Sequence, residues 1–328
     1  MKEPIRILHV LGNTNLGGAE SRTMDLYRHI DRERVQFDFL VHTEQEGHFD
    51  KEILELGGHV YRVPRFRMYN FFSYRKALKD FFRENHKFGA VQGHMTSTAA
   101  IYLPICSGPY QNDLPAAVEE GRTVFIPNAI DCEKFTFREE TRTKMRGELS
   151  LSDRYVIGHV GRFHYAKNHE YLLRVFAALC KEKPEMDFVL LLLGEGQGME
   201  GIRKLSEELQ IGDKVIFAGN RTNVSDYYQA MDYVVYPSRY EGLPGSIVEA
   251  QCAGLKCLMS DRICQEVIAT ELVTTMDIDK DPARWAAYLA GQLYYDRTDH
   301  AGQMRAAGFD VTCQAEKMMK FYETGKWV

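Results

Sequence analysis

The stretch DYVVYPSRYEGLPGSIVEAQCA, residues 232–253, decides the fold. Its first part, DYVVYP, is a short run of β-branched and aromatic residues that ends at Pro237 and predicts a buried strand. Gly242, Pro244 and Gly245 predict a loop. The letters IVEAQCA then continue at helical spacing after Pro or Ser opens a helix. The predicted unit is therefore a strand, a loop and a helix.

Two carboxylates, Glu241 and Glu249, stand eight positions apart in this unit. On a continuous helix eight steps turn through about 800°, so the two would lie on different flanks. Glu241 therefore falls on the loop and Glu249 in an early helical turn. The N–H groups of the loop and the helix start attract phosphate, and because like charges repel, we expect the carboxylates to accept hydrogen bonds from hydroxyl groups on either side of it. A phosphate with hydroxyl groups on either side is a sugar nucleotide. The spacing of the two carboxylates alone equally allows a solvent-facing loop with two acidic residues of no special role.

The composition is that of a soluble globular protein. The 328 residues are 45% hydrophobic and 27% charged, with a formal net charge of -5. This balance argues against a general nucleic-acid binder, which needs concentrated positive charge. We find no apolar run long enough to span a bilayer, we expect no signal peptide, and the seven cysteines lack CxxC spacing. We expect a cytosolic location, with the cysteines reduced and mostly buried.

Strands alternate with helices in two successive runs, which begin at IRILHVL and at YVIGHVGRF. Such alternation predicts an α/β protein with parallel sheets covered by helices on both faces. We expect two Rossmann-like domains that face each other across a cleft, with ligands bound beyond the carboxyl ends of the strands. The predicted ranges are 1–149 and 150–308, followed by a C-terminal helix in 309–328 that packs back on the first domain.

The loop GRFHYAKN follows the strand YVIGHVG and carries Arg162 and Lys167, with Asn168 predicted as a helix N-cap. Two cations beside a helix start would bind a diphosphate, although a solvated loop is the alternative. Near the N-terminus, NTNLGGAE places Gly17 and Gly18 where backbone could approach a ligand closely, a weak signal alone.

Two further short patterns resemble ligand-binding motifs without matching them. GEGQG, residues 194–198, predicts a turn that borders a base pocket, because no acidic residue follows at the distance typical of dinucleotide binding. The DID of residues 277–279 imitates a metal-binding DxD but lies after the last regular strand and helix. No His or Cys cluster suggests zinc, and we expect no metal and no cofactor.

In combination, GGAE, IPNAID, GRFHYAKN, LLGEG, FAGNR and the Glu241/Glu249 pair occur in the order seen in retaining GT-B glycosyltransferases of family 4, which this chain resembles over nearly its whole length. The resemblance implies a metal-independent hexosyltransferase. Its donor would be a nucleoside diphosphate sugar with UDP as the nucleotide, and its acceptor a glycan or lipid-linked glycan of exopolysaccharide or capsule synthesis.

The resemblance also implies roles for individual residues. Arg162 and Lys167 match the pair that neutralises the donor diphosphate, Glu249 the ribose-binding glutamate, and Glu241 the one facing the transferred sugar. The remaining donor-side matches are Gly17 and Gly18 at the N-terminal loop, Glu195, Asn220 and Arg221 near the base, and the backbone of Gly242, Leu243 and Pro244 at phosphate and sugar.

One departure from the family pattern lies in the first domain. Only Met95 to Phe125 separate AVQGH from IPNAID. The resemblance therefore implies that a segment near Ile105 and Cys106, which in the family carries a second half of the domain and the catalytic histidine, is absent, either because the chain was shortened or because a mobile stretch is left out of it. His94 at the end of a predicted strand is the substitute candidate for the catalytic histidine, with a structural histidine as the alternative.

The acceptor side offers one pattern. Residues 61–88 interleave Arg, Lys and aromatics, which favours peripheral contact with an anionic membrane, while an amphipathic solvated helix is the alternative. Three other functions stay open: a GT-B-like sugar-nucleotide epimerase or hydrolase, a non-catalytic nucleotide-sugar-binding protein, and, remotely, a dehydrogenase.

Overall fold

The computed structural model describes residues 3–85, 88–94, 101 and 128–327. The chain divides into two compact units, residues 1–126 together with 311–328, and residues 127–310. The predicted gap near Ile105 and Cys106 lies outside the described residues. In the described part of the chain, no helix combines the length and the apolar character that crossing a membrane would require.

The first unit contains a parallel sheet of order β3-β2-β1-β4. Its described elements are β1 (Ile5–Leu11), α1 (Gly18–His29), β2 (Val35–Val41), α2 (Asp50–Glu55), β3 (Val60–Arg62), α3 (Phe71–Glu84), β4 (Phe88–Gly93) and a C-terminal helix, Val311–Thr324, which packs against α1. Every residue of β2 is buried, as expected for a parallel strand with helices on both faces.

The second unit contains a parallel sheet of order β10-β9-β8-β5-β6-β7. Its strands are β5 (Tyr155–Val160), β6 (Phe188–Leu193), β7 (Val215–Gly219), β8 (Tyr233–Tyr236), β9 (Lys256–Ser260) and β10 (Val273–Met276). Its helices, numbered onward from α3, are α4 (Cys132–Phe135), α5 (Glu139–Glu148), α6 (His169–Glu182), α7 (Met199–Glu208), α8 (Val224–Ala230), α9 (Gly245–Cys252), α10 (Pro282–Ala290) and α11 (Ala301–Ala306). The C-terminal helix of the first unit is α12.

The fully buried strand β6 shows why this sheet needs two hydrophobic layers. Because side chains alternate along a strand, Val189, Leu191 and Leu193 pack into the cluster on one face. Phe188, Leu190 and Leu192 pack into the cluster on the other. The unbroken apolar run FVLLLL is therefore the signature of a central strand. Strand β10 is not predicted by the alternation, because the strand has only four residues and none of them is fully buried.

The division between the units differs from the predicted boundary at 149/150. Residues 132–148 belong to the second unit, because α5 contacts α8 and Cys132, Phe135 and Met145 are buried in the same cluster as Leu191. The boundary lies at 126/127, and the chain returns to the first unit at 310/311. The sequence of the polar helix α5 therefore does not indicate which unit it belongs to, and only its packing against α8 does.

Both sheets contain a position where the strand order reverses. In the first unit the chain adds β2 and β3 on one side of β1 and then places β4 on the other. In the second unit it adds β6 and β7 on one side of β5 and then places β8 on the other. In open parallel sheets, ligands bind beyond the carboxyl ends of the strands at such a reversal.

Candidate active site

The reversal in the second unit brings two predicted residues into contact. Lys167 ends the loop after β5, and Glu241 follows β8. The Lys167 Nζ lies 2.7 Å from Oε1 and 2.6 Å from Oε2 of Glu241. The hydroxyl of Ser238 donates to Oε1 at 2.6 Å. Both charged side chains are mostly buried, with 18% and 15% of their surface exposed, so the ion pair is only weakly screened by solvent.

Two further hydrogen bonds join the loop after β5 to the loop after β8. The Asn168 amide donates to the carbonyl of Pro237 at 3.1 Å, and the backbone N–H of Arg239 donates to the carbonyl of Ala166 at 2.7 Å. Asn168 does occupy the N-cap position of α6, but its side chain makes no capping bond. The predicted N-cap position of Asn168 is confirmed. The residue adopts a left-handed conformation (φ 56°), and its amide bonds between the loops.

Arg162 lies in the same loop as Lys167 but differs in environment. Its side chain is exposed and, within the described residues, has no ion-pair partner. The neighbouring backbone is fixed, since the N–H of Phe163 donates to the carbonyl of Glu195 at 3.0 Å. This loop thus carries one cation held by a carboxylate and one without an ion-pair partner in the described part of the chain.

Glu249 lies on α9, the helix that follows the Glu241 loop. It is 7% exposed, and the hydroxyl of Tyr228 donates to its Oε2 at 3.0 Å. Pro244 is the N-cap of α9 and makes no side-chain capping bond, so the helix start offers backbone N–H groups to an anion. The Leu243 carbonyl accepts from the Asn128 amide at 2.9 Å, and a Cβ at Gly242 would meet no atom within 4 Å.

The residues predicted near a base lie together after β6 and β7. The Asn220 amide donates to Glu195 Oε2 at 3.2 Å. Arg221 donates to the carbonyl of Ala218 at 2.7 Å, and its guanidinium lies 5.7 Å from the centre of the Tyr227 ring. The GEGQG segment forms the predicted turn, with Gly194 at φ +130°.

Buried histidines surround the Lys167 loop and stay neutral. Burial, followed by the charge of Lys167, lowers the pKa of His169 to about 4. Burial, His169 and Lys167 together lower the pKa of His159, although its hydrogen bond to the Val235 carbonyl opposes this. The positive charge in this part of the second unit therefore resides on Lys167 rather than on the imidazoles.

In the first unit, the predicted residues lie at the reversal beside β1. His94 follows β4, and its Nε2 lies 3.0 Å from Nδ1 of His9 and 3.5 Å from the Thr23 hydroxyl. Burial lowers the pKa of His94 to about 4, so this imidazole is neutral at pH 7. Gly17 caps the start of α1 and Gly18 is its first residue; a Cβ at Gly18 would meet no atom within 4 Å.

The described residues contain no cluster of three or more His, Cys, Asp or Glu side chains that could hold a metal ion. In the DID segment, Asp277 pairs with Lys280 at 3.3 Å and Asp279 with Arg262 at 2.6 Å. These carboxylates are used in ion pairs with cations of their own neighbourhood.

Three contacts of this site have little or no signal in the sequence. Ser238, three residues before Glu241, could have been found from that spacing, because short polar side chains bond locally. The bond from Asn168 to Pro237 and the bond from Tyr228 to Glu249 join residues that are far apart in sequence. Only the fold brings them together.

The chain is similar to known glycosyltransferases in sequence. Residues 141–290 match the family model described as glycosyl transferases group 1. The chain is 31% identical over 335 residues to the putative glycosyltransferase EpsF of Bacillus subtilis strain 168, covering 87% of each chain. It is 29% identical over 140 residues to a UDP-Gal:alpha-D-GlcNAc-diphosphoundecaprenol alpha-1,3-galactosyltransferase of Escherichia coli, covering 42% of this chain and 36% of that one.

The fold is similar to a solved structure of Anabaena Alr3699/HepE in complex with UDP and glucose. The TM-score is 0.76 at 16% identity, and the match covers 98% of this chain and 100% of that one. At this identity the likeness concerns the fold alone. Together with the two parallel α/β units, it confirms the predicted GT-B fold class.

Proposed function

The chain belongs to the group 1 glycosyl transferases, and we propose that it is a retaining, metal-independent hexosyltransferase. Its donor is a nucleoside diphosphate sugar with UDP as the nucleotide, and its acceptor is a hydroxyl of a glycan or lipid-linked glycan in exopolysaccharide or capsule synthesis. The UDP-sugar and diphosphoundecaprenol named for the Escherichia coli relative support this choice of donor and acceptor class.

The observation that carries the proposal is the contact of Lys167 with Glu241 at the β5/β8 reversal. An ammonium has three N–H donors, and two point at the carboxylate, which leaves one for a phosphate oxygen. Arg162 supplies a second, unneutralised cation. At about 4 Å and an effective dielectric near 20, each cation–phosphate pair is worth roughly 4 kcal/mol, so these side chains outweigh a helix dipole of about 0.3–1 kcal/mol.

The other donor groups are assigned by their neighbours. Glu249, held by the Tyr228 hydroxyl, accepts hydrogen bonds from the ribose. Glu195, Asn220 and Arg221 border the base. The backbone of Gly242, Leu243 and Pro244, which leads into the uncapped start of α9, binds phosphate and sugar.

In the proposed reaction the bond between the anomeric carbon and the diphosphate oxygen breaks early. Negative charge develops on the leaving diphosphate, where Lys167, Arg162 and the N–H groups of α9 stabilise it. The acceptor oxygen attacks the face that the diphosphate leaves, which retains the configuration, and the leaving phosphate takes the acceptor proton. Glu241, fixed by Lys167 and Ser238, faces the transferred sugar.

The first unit serves the acceptor in this proposal. Gly17 and Gly18 stand at the start of α1, with open space beside Gly18, and in this proposal they meet phosphate and acceptor. His94 is assigned as the substitute for the family's histidine. It would act as a neutral hydrogen-bonding group, because its pKa of about 4 excludes a charged imidazole at pH 7.

We also propose that the first unit contacts the membrane surface peripherally. Three large apolar side chains near the start of α3 are exposed: Met68 at 91%, Tyr69 at 83% and Phe72 at 85%. Exposed cations accompany them at Arg65, Arg67, Arg75, Lys76 and Lys79. Apolar side chains beside basic ones are typical of surfaces that rest on anionic lipid.

Vesicle sedimentation tests the membrane contact. The chain should bind phosphatidylglycerol vesicles and not phosphatidylcholine vesicles, and Y69S/F72S should weaken binding by at least about a hundredfold, since each aromatic side chain is worth on the order of 1.5–3 kcal/mol when buried. Equal sedimentation of the double variant would reject this surface.

A donor panel tests the function. UDP should raise the thermal midpoint more than ADP or GDP, and incubation of UDP-hexoses with a lipid-linked diphosphate sugar should give product with the anomeric configuration of the donor by NMR. EDTA should leave the rate unchanged. Release of free hexose with or without acceptor would point to a hydrolase, a changed sugar nucleotide to an epimerase, and binding without turnover to a sensor.

A further inference from the structure

A cavity of about 350 Å³ lies at the carboxyl edge of the second sheet. Its lining comes from the turn before α6, the first turns of α6, and the loops after β8, β9 and β10. Neither Lys167 nor Glu241 is among the lining residues. The cavity therefore does not include the ion pair assigned to the donor, although Asn168, the residue after Lys167, lines it.

The charged groups around this cavity are unevenly paired. Arg262 and Asp279 line it and form an ion pair at 2.6 Å. Arg174, Arg239 and Glu170 also line it, and none of these three has an ion-pair partner within the part of the chain that the structure describes. Glu170 lies one helical turn before Arg174 without pairing to it. The unpaired groups thus carry one net positive charge.

Arg239 is held in place as a binding group. Its guanidinium lies 4.5 Å from the centre of the Tyr165 ring, and its backbone N–H donates to the Ala166 carbonyl. Its Nε is buried and has no hydrogen-bond partner among the described residues. A buried donor without an acceptor is costly. Arg239 also lines the cavity, and its guanidinium has no ion-pair partner among the described residues, so its charge is left for a ligand.

The remaining lining groups match a carbohydrate rather than a bare anion. Glu170 would accept hydrogen bonds from sugar hydroxyl groups. The same carboxylate would repel an anion that has no hydroxyl group to donate to it. The Tyr165 ring is 67% exposed and gives an apolar face for sugar C–H groups. A cavity near the lower end of the roughly 300–1,000 Å³ range of small-molecule sites suits a monosaccharide unit.

We propose that this cavity binds an anionic sugar, meaning a monosaccharide unit that carries a phosphate or a carboxylate group. Arg174 and Arg239 bind the acidic group, and Glu170 binds hydroxyl groups. The proposal does not depend on the transferase assignment, because it uses none of the donor residues.

Calorimetric titration with glucose 6-phosphate, glucuronate, glucose and inorganic phosphate tests the proposal. We expect saturable binding of at least one of the two anionic sugars, with glucose and inorganic phosphate at least about tenfold weaker. R174Q and R239Q should each weaken it at least about tenfold, because each removes a hydrogen bond to a charged group. R284Q is the matched control, since Arg284 is an exposed arginine of the same unit outside the cavity.

Excess UDP should leave this binding unchanged. Displacement by UDP, unchanged affinity in R174Q and R239Q, or equal binding of inorganic phosphate would overturn the proposal, as would no saturable binding of either anionic sugar. If R239Q fails to fold, R174E keeps the test open, because Arg174 is exposed on α6, and retained affinity in that variant counts equally against the site.

Discussion

The two strand-order reversals have the same topology and opposite chemistry. Beside β1, the first unit places His9 and His94 in contact at 3.0 Å, and burial keeps both imidazoles neutral by lowering the pKa of each. Beside β5, the second unit places an ammonium against a carboxylate. Sheet topology therefore determines where a ligand can bind, while the side chains at the strand ends determine which charge it meets.

The loops at the second reversal are held together by hydrogen bonds. In the second unit the Lys167 loop and the Glu241 loop are joined by the bonds from Asn168 and Arg239. A preorganised charge needs such fixation, because a group that must be reoriented in the reaction loses part of its electrostatic effect.

Removing the cation at the second reversal should have the largest effect. We expect K167A to lower the transfer rate by about 10²–10³-fold, the range for loss of one preorganised charge-stabilising group, and to remove stabilisation by UDP. K204A, at an exposed lysine of α7, should change the rate less than about twofold by the surface-substitution expectation. A K167A rate within tenfold of the parent would contradict the diphosphate role.

Gly194, the glycine after β6, allows the second reversal to be tested by the free energy of unfolding. Gly194 has φ +130°, and a Cβ there would lie 2.2 Å from the Gly161 carbonyl oxygen. G194A should lower the free energy of unfolding of the second unit by about 1–3 kcal/mol. G201A, in α7 with no atom near the new Cβ, should raise it by up to about 1 kcal/mol. Urea unfolding measures both, and equal changes would reject the strain.

The first reversal should respond to acid. The native pKa of His94 is about 4 and the unfolded value is about 6.5, so between these values the unfolded chain binds a proton that the native chain does not. Stability attributable to His94 is thus full above pH 6.5 and falls by about 1.4 kcal/mol per pH unit below it. H94Q should lose stability less steeply between pH 6.5 and 5. Parallel slopes would contradict a neutral, buried His94.

The smallest effect is expected from a change at Tyr228, which contacts Glu249 in the second unit. Y228F removes the hydroxyl that donates to Glu249, a bond worth about 1 kcal/mol, and should raise the donor KM about fivefold with kcat nearly unchanged. Y227F is the control, since the Tyr227 hydroxyl has no hydrogen bond in the described ranges. Steady-state kinetics with a UDP-hexose separates the two, and equal KM values would remove Tyr228 from the positioning of Glu249.

Much of the architecture followed from local patterns. The apolar run FVLLLL predicts a strand buried on both faces, and β6 is one. The loop and helix of residues 241–252 appear at the predicted place, with α9 starting at Gly245. The boundary at 149/150 was misplaced, because α4 and α5 are polar helices whose packing partners are distant in sequence.

The sequence by itself determined the alternation of strands and helices, the loops that carry Arg162, Lys167 and Glu241, and the family, because each depends on residues that are neighbours along the chain. Only the tertiary structure decided that Lys167 pairs with Glu241, that the side chain of the N-cap residue Asn168 bonds to Pro237, and that Tyr228 holds Glu249. The physical reason is that parallel strands bring distant loops to one edge of a sheet, and a hydrogen bond depends on that distance and not on separation in sequence.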